Sequence, residues 1–222
     1  MKNKFRKKLS MPGLLTEVKS SFEKIPVPSV RREGSISRSD CLMSGVAIFG
    51  LKYPSLLKFD EDKRDPVIEH NLKSLYDINT IPSDTYLRER LDELSASEHR
   101  GAFNDVLKQA QRGKVLEKFT FYDDHYLLSM DGTGYFSSHD IHCDPCCEKH
   151  HRNGQITYYH QMLGIAFVHP EHHHVLPLAP EAIVKPDGAS KNDCERNAGK
   201  RLLTQFRAEH PKMKVIITEE AD

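Results

Sequence analysis

Hydrophobic periodicity changes character once along this 222-residue chain, near Phe119, and that change constrains the fold more than any other feature. Ahead of it, apolar residues recur at helical spacing. Leu14 to Phe22 makes a short helix, and Leu42, Met43, Val46, Ala47, Phe49 and Leu51 outline a second that opens at Asp40 and ends before Pro54. An acidic, proline-marked stretch (Asp60 to Pro66) leads to a short helix over His70–Tyr76. Ser83 then caps a helix carrying Leu87, Leu91 and Leu94, and another runs from about Glu98 to Gln111, stopped by Gly113.

Behind Phe119 the pattern is extended. Leu127 to Phe136 reads as a strand with Asp131 inside it, Ile156 to Val168 as a long strand, and His174 to Leu178 as an edge strand limited by Pro177 and Pro180. Asn192 with Glu195 three residues on forms a capping box for a helix with the stripe Cys194, Ala198, Leu202 and Phe206. Lys214 to Thr218 is β-branched enough to be a central, buried strand. The order is β-β-β-α-β: an antiparallel meander, then a right-handed crossover to a strand parallel to the first. The expected class is α+β, organised as a basic arm over 1–38, a helical region over 39–120 and a sheet domain over 121–222.

Composition narrows the function. Lys plus Arg equals Asp plus Glu at 32 each, yet residues 1–38 carry +7, 39–127 carry −4 and 128–222 carry −3. Lys2, Lys4, Arg6, Lys7 and Lys8 head the positive segment. Such an arm suits DNA phosphates through counterion release, and a solvated tail has the same composition. Arg88 and Arg90, off the leucine stripe of a helix-turn-helix-like pair, are further DNA candidates, although helical hairpins that touch only protein share the pattern. No apolar run approaches membrane-span length, and no signal peptide follows the N-terminal lysines. Five cysteines, three of them between 143 and 147, form no secreted disulfide framework and indicate a reducing compartment.

The strand order suggests a site. If the last strand runs parallel to the first, Glu219 and Glu220 at its end approach Asp131. Gathered carboxylates call for a cation, and Mg²⁺ or Mn²⁺ held this way is the arrangement of two-metal phosphodiester chemistry. Asp131 beside Gly132-Thr133-Gly134 also fits a bulge or turn.

Particular words add to this reading. Leu128-Ser129-Met130-Asp131-Gly132-Thr133, Cys143-Asp144-Pro145-Cys146-Cys147, Tyr159-His160-Gln161-Met162-Leu163, and Lys191 to Ala198 with Lys200-Arg201-Leu202-Leu203 closely resemble bacterial insertion-sequence transposases of the DDE type. The likeness runs from about Tyr76 onward. It implies an RNase H-like catalytic domain, metal-dependent cleavage and strand transfer, transposon-end DNA as partner, and a cytoplasmic, nucleoid-associated location; a homodimer is left open. Asp131 maps onto the first metal ligand. Relatives usually show Glu-Asp after the fourth strand, where Glu219 matches the Glu and Glu220 stands at the Asp position, so Asp131 and Glu220 are the expected catalytic metal ligands. The third ligand, a glutamate on a later helix, has no counterpart before Asp222. The expectation is an incomplete RNase H-like domain that does not cut DNA alone.

His142, Cys143, Cys146, Cys147, His150 and His151 crowd soft ligands into ten residues. Cys143-x-x-Cys146 with His150 or His151 has the reach of a Zn²⁺ site, and His139 or His160 could complete a set; a polar loop with free thiols is the alternative. His172-His173-His174 cannot all face one ion on a strand. Lys200, Arg201 and Arg207, on the helix after Asn192, offer phosphate contacts or a solvated surface. The competing functional reading is a non-catalytic DNA-binding or zinc-stabilised protein that competes with an intact transposase.

Overall fold

The computed structural model describes residues 7–26, 35–185 and 192–219. The chain divides into two compact units, Met1–Lys114 and Val115–Asp222, a mixed α+β composition overall.

The front unit is helical: α1 (Met11–Phe22), α2 (Arg38–Gly50), α3 (Leu56–Asp62), α4 (Pro66–Ser74), α5 (Asp84–Asp92) and α6 (Arg100–Arg112). Short polar side chains start most of them. Ser37 accepts from the Asp40 backbone N–H, Asp65 from those of Val67 and Ile68, and Ser83 from that of Tyr86, each satisfying a donor that the helix leaves orphaned. Asp65 and Pro66 therefore start α4 four residues ahead of the expected His70. The acidic stretch before it is helical too, because Phe59 is fully buried and pins α3 to the core.

That core gathers Leu15, Phe22, Leu42, Met43, Ala47, Phe59, Leu72, Ile78 and Leu87. Leu15 and Phe22 come from α1, so this stretch of the segment read as a basic arm packs into the front unit. A buried ionic knot ties it down. The Lys19 ammonium lies 3.0 Å from Asp77 Oδ2 and 3.9 Å from Asp40 Oδ1, and donates to the Asp77 carbonyl. Asp40 in turn accepts from the backbone N–H groups of Asn79 and Thr80. The two buried charges, Lys19 and Asp40, are thus paired and hydrogen-bonded, as buried ions must be, while the Asp77 carboxylate is largely exposed.

The rear unit is a sheet with one helix: β1 (Tyr126–Ser138), β2 (Cys147–His150), β3 (Ile156–His169), β4 (His172–Pro177), β5 (Glu181–Ile183), α7 (Glu195–Glu209) and β6 (Val215–Glu219). Strand β3 pairs antiparallel with β1, β2, β4 and β5, while β6 runs parallel to β1. The three expected strands, the helix and the parallel return are all present. β2 and β5 are additional; at four and three residues they are too short to show periodicity. β6 is not central. It pairs with β1 alone among the described strands, and Ile217 stays 39% exposed.

Alternation along the long strands sorts the two faces. Leu128 and Met130 of β1 and Leu163, Ile165 and Phe167 of β3 are buried on the face that α7 covers with Ala198, Leu202 and Phe206. Burying each large side chain is worth about 1.5–3 kcal/mol, which fixes the register and sends Ser129, Asp131 and Thr133 to the opposite face. Helix α7 begins later than the capping box implies: Cys194 is the N-cap. Asn192 instead accepts from the Glu148 N–H and donates to the Glu148 carbonyl and the Tyr159 hydroxyl, bridging to β2 and β3.

Candidate metal sites on the sheet

Asp131 sits within β1 opposite Gly164 of β3, exposed on the face that α7 does not cover. Small neighbours, Ser129 and Thr133 on its own strand and Gly164 across, leave the carboxylate accessible. Among the described residues no side chain hydrogen-bonds or ion-pairs with it. Asp131 belongs to no group of three metal-binding side chains among the described residues.

The strand ladder separates the two glutamate candidates. Paired residues of neighbouring parallel strands share a face, and β6 pairs with β1 as Ser129 to Thr218 and Met130 to Glu219. Glu219 therefore stands level with Met130, on the opposite face from Asp131, and is not its partner. Glu220 lies outside the described residues.

Behind Asp131 the first turn of α7 closes on the strand. A Cβ added to Gly132 would lie 2.0 Å from Glu195 Oε1, the atom that accepts a 2.5 Å hydrogen bond from Gln161 Nε2. Gly132 is there because the glutamate occupies the space a side chain would fill.

A second site lies along the same face. Asp131, Thr133 and Phe136 pair with Gly164, Met162 and His160 in turn, so His160 faces the same side as Asp131. Its Nε2 lies 3.2 Å from Cys143 Sγ and 3.3 Å from Cys146 Sγ, and the two sulfurs are 3.5 Å apart. A tetrahedral zinc with ordinary bond lengths would separate two sulfurs by about 3.8 Å and sulfur from nitrogen by about 3.6 Å, so the triangle needs to open by only a few tenths of an ångström. Cys146 is 2% exposed, whereas Cys143 faces solvent. Burial, then the hydrogen bond and charge of Cys146, push the Cys143 thiol above its ordinary range. The neutral Cys143 thiol is thereby favoured until a cation takes the place of its proton. The ladder between β1 and β3 shifts register around Tyr135, whose ring stacks on the His160 imidazole at 5.7 Å and 10°.

This ligand set differs from the local one expected. Cys147 is fully buried and donates to the Ile183 carbonyl at 3.6 Å. His150 lies 3.2 Å from Glu148, and His151 2.8 Å from the Thr157 hydroxyl. Strand β2 turns all three away from the Cys143–Cys146 pair, because it pairs with Ile156–Tyr159 rather than folding back over the knuckle. His139 is occupied with the Ile156 carbonyl, and His142 stacks on Tyr158 at 4.3 Å.

Most of the described basic DNA candidates have protein partners. Arg201 bonds Glu181 and Asp193 at 2.7 Å each and the Ala182 carbonyl at 3.2 Å, locking α7 to β5. Arg90 holds both oxygens of Glu93 and lies over the Tyr86 ring. Lys8 pairs with Glu17 at 2.9 Å, and Arg88, 63% exposed, stands 3.9 Å from Asp84. Lys7 and Lys200 are exposed; Lys2, Lys4 and Arg6 lie outside the described residues. Among the described residues no helix is long and apolar enough to cross a membrane. No protein-family model, curated protein or solved structure matches this chain.

Proposed function

We propose that this chain is a DNA-transposition protein of the DDE class, with Asp131 as a ligand of Mg²⁺ or Mn²⁺ and duplex DNA as its partner. The observation that carries the reading is the parallel pairing of β6 with β1. It sets β6 beside the strand that carries Asp131, with the described Glu219 level with Met130 and turned to the other face. The path β4-β3-β1-β6, antiparallel twice and then parallel, with α7 between β5 and β6, supports the RNase H-like reading. When bound, the cation supplies charge stabilisation for phosphodiester cleavage and strand transfer. The protein holds it on an exposed, small-residue surface where a phosphate can approach Asp131. Of the basic candidates, Lys7 and Arg88 in the front unit and Lys200 in the rear unit are exposed and would each offer a contact to DNA phosphates.

Zn²⁺ at Cys143, Cys146 and His160 is the second part of the proposal: thiolate and imidazole suit zinc, and the triangle has nearly its dimensions. That site also favours the rival reading of a zinc-stabilised, non-catalytic DNA binder. Fluorescence anisotropy on labelled duplex DNA separates the two. A transposase-type site predicts affinity that falls steeply with salt and rises when Mn²⁺ is added, with the Mn²⁺ gain absent in Asp131→Asn. A gain that persists in the variant refutes the role of Asp131; salt-independent or absent binding refutes the DNA reading.

A further inference from the structure

Two residues separate Cys143 from Cys146, and their sulfurs stand 3.5 Å apart. A disulfide has an S–S bond of about 2.05 Å, so the pair closes by an approach of about 1.5 Å, which side-chain rotation within a turn can deliver. Access is asymmetric: Cys143 faces solvent while Cys146 is buried behind it. The neighbouring thiol is poorly placed to compete, because the Cys147 sulfur is committed to the Ile183 carbonyl. The two sulfurs are also two of the three metal ligands. Losing both leaves His160 as the sole protein ligand.

We propose, building on the zinc reading above, that this centre is a redox-released clip in which a peroxide joins Cys143 to Cys146, expels Zn²⁺ and frees the Cys143–Cys146 turn from His160 of strand β3, while His139 and His142 keep their contacts to Ile156 and Tyr158. The Cys143 thiolate attacks the O–O bond of hydrogen peroxide, taking one oxygen as the sulfenic acid and releasing the other as hydroxide. The Cys146 thiolate then attacks the sulfenic sulfur, forming the S–S bond and releasing a second hydroxide. The two sulfurs together lose two electrons to the peroxide, and Zn²⁺ leaves without changing oxidation state. A dithiol reductant reverses the closure. The oxidised loop keeps its hydrogen bond from the Lys185 N–H to the Pro145 carbonyl at 3.2 Å but loses its link to His160, the residue beside the register shift at Tyr135.

The test uses the full chain loaded with zinc, with uptake measured before any oxidant is added. Hydrogen peroxide is then titrated while a chromogenic chelator reports zinc, non-reducing peptide mapping reports sulfur chemistry, and hydrogen exchange reports the loop. The expected result is stoichiometric zinc release with a Cys143–Cys146 disulfide, exchange over 143–147 faster by at least several-fold, and reversal by dithiothreitol. Cys194→Ser should behave as the parent. Zinc retained after oxidation, or released with a Cys143 sulfinate or a disulfide to Cys147 or Cys194, overturns this proposal alone. A chain that takes up no zinc at the outset overturns the zinc reading and the proposal together.

Discussion

Replacing Gly132 with alanine tests how α7 is seated behind Asp131. The new methyl carbon would lie 2.0 Å from Glu195 Oε1, 2.5 Å from Cδ and 3.0 Å from Oε2. The carboxylate is the far end of a flexible side chain, so it must retreat by more than about an ångström to reach an ordinary contact. That retreat breaks its 2.5 Å hydrogen bond from Gln161. A hydrogen bond to a charged group is worth about 1.5–3 kcal/mol, and the lower conformational entropy of unfolded alanine returns about 0.4–1 kcal/mol. The net loss should be about 1–2 kcal/mol. With Glu195→Ala already in place the clash is gone, and Gly132→Ala should become neutral or stabilising by about 0.4–1 kcal/mol. Two compact units make a single unfolding transition an unsafe readout. Native-state hydrogen exchange over residues 126–138 and 195–209 reads the rear unit alone. An equal loss in the Glu195→Ala background would show that something other than this carboxylate excludes a side chain.

Other expectations concern both units. Lys19→Met leaves Asp40, with 4% of its side chain exposed, without its cation. Breaking such a buried pair costs about 3–5 kcal/mol, and the two backbone donors that Asp40 keeps place the loss near the lower bound; native-state hydrogen exchange over the front-unit helices that moves by less than about 1 kcal/mol contradicts this. Burial holds His99 below its ordinary pKa of 6.5. The unfolded chain therefore takes up the proton first, so front-unit stability is fully present above pH 6.5 and is lost as pH falls below it, a slope that His99→Gln should remove. For zinc, Cys146→Ser or His160→Ala should abolish stoichiometric binding measured by metal analysis, while Cys147→Ser, His150→Ala and His151→Ala should retain it. Loss in the second group with retention in the first would restore the local ligand set.

Much of the sheet was legible because long strands declare themselves. Asp131, Leu128 and Met130 alternate, and the β-branched run after Lys214 needed only the rule for crossovers to become a parallel neighbour of β1. Ser83 and Gly113 likewise marked real helix ends. What resisted reading depends on register. His160 reaches the cysteines only because β3 pairs across the shifted position at Tyr135, 14 residues from Cys146 along the chain. Proximity in sequence favoured His150 and His151 instead. The available signal was strand parity together with the spacing usual for a distant second zinc ligand. Asn192 misled for a related reason: its capping pattern was sound locally, but contacts to Glu148 and Tyr159 on two other strands outweighed it. The partners of Arg201 on β5 were hidden in the same way.

The claim that Asp131 anchors a divalent cation is tested most directly by electron paramagnetic resonance of Mn²⁺ titrated into the full chain without DNA. The account predicts that Asp131→Asn weakens binding at least about tenfold, the cost of one lost charge-assisted ligand. Glu219→Gln, which changes a residue paired with Met130 on the other face, should alter it less than about twofold. Equal effects from the two substitutions, or none from Asp131→Asn, would contradict it.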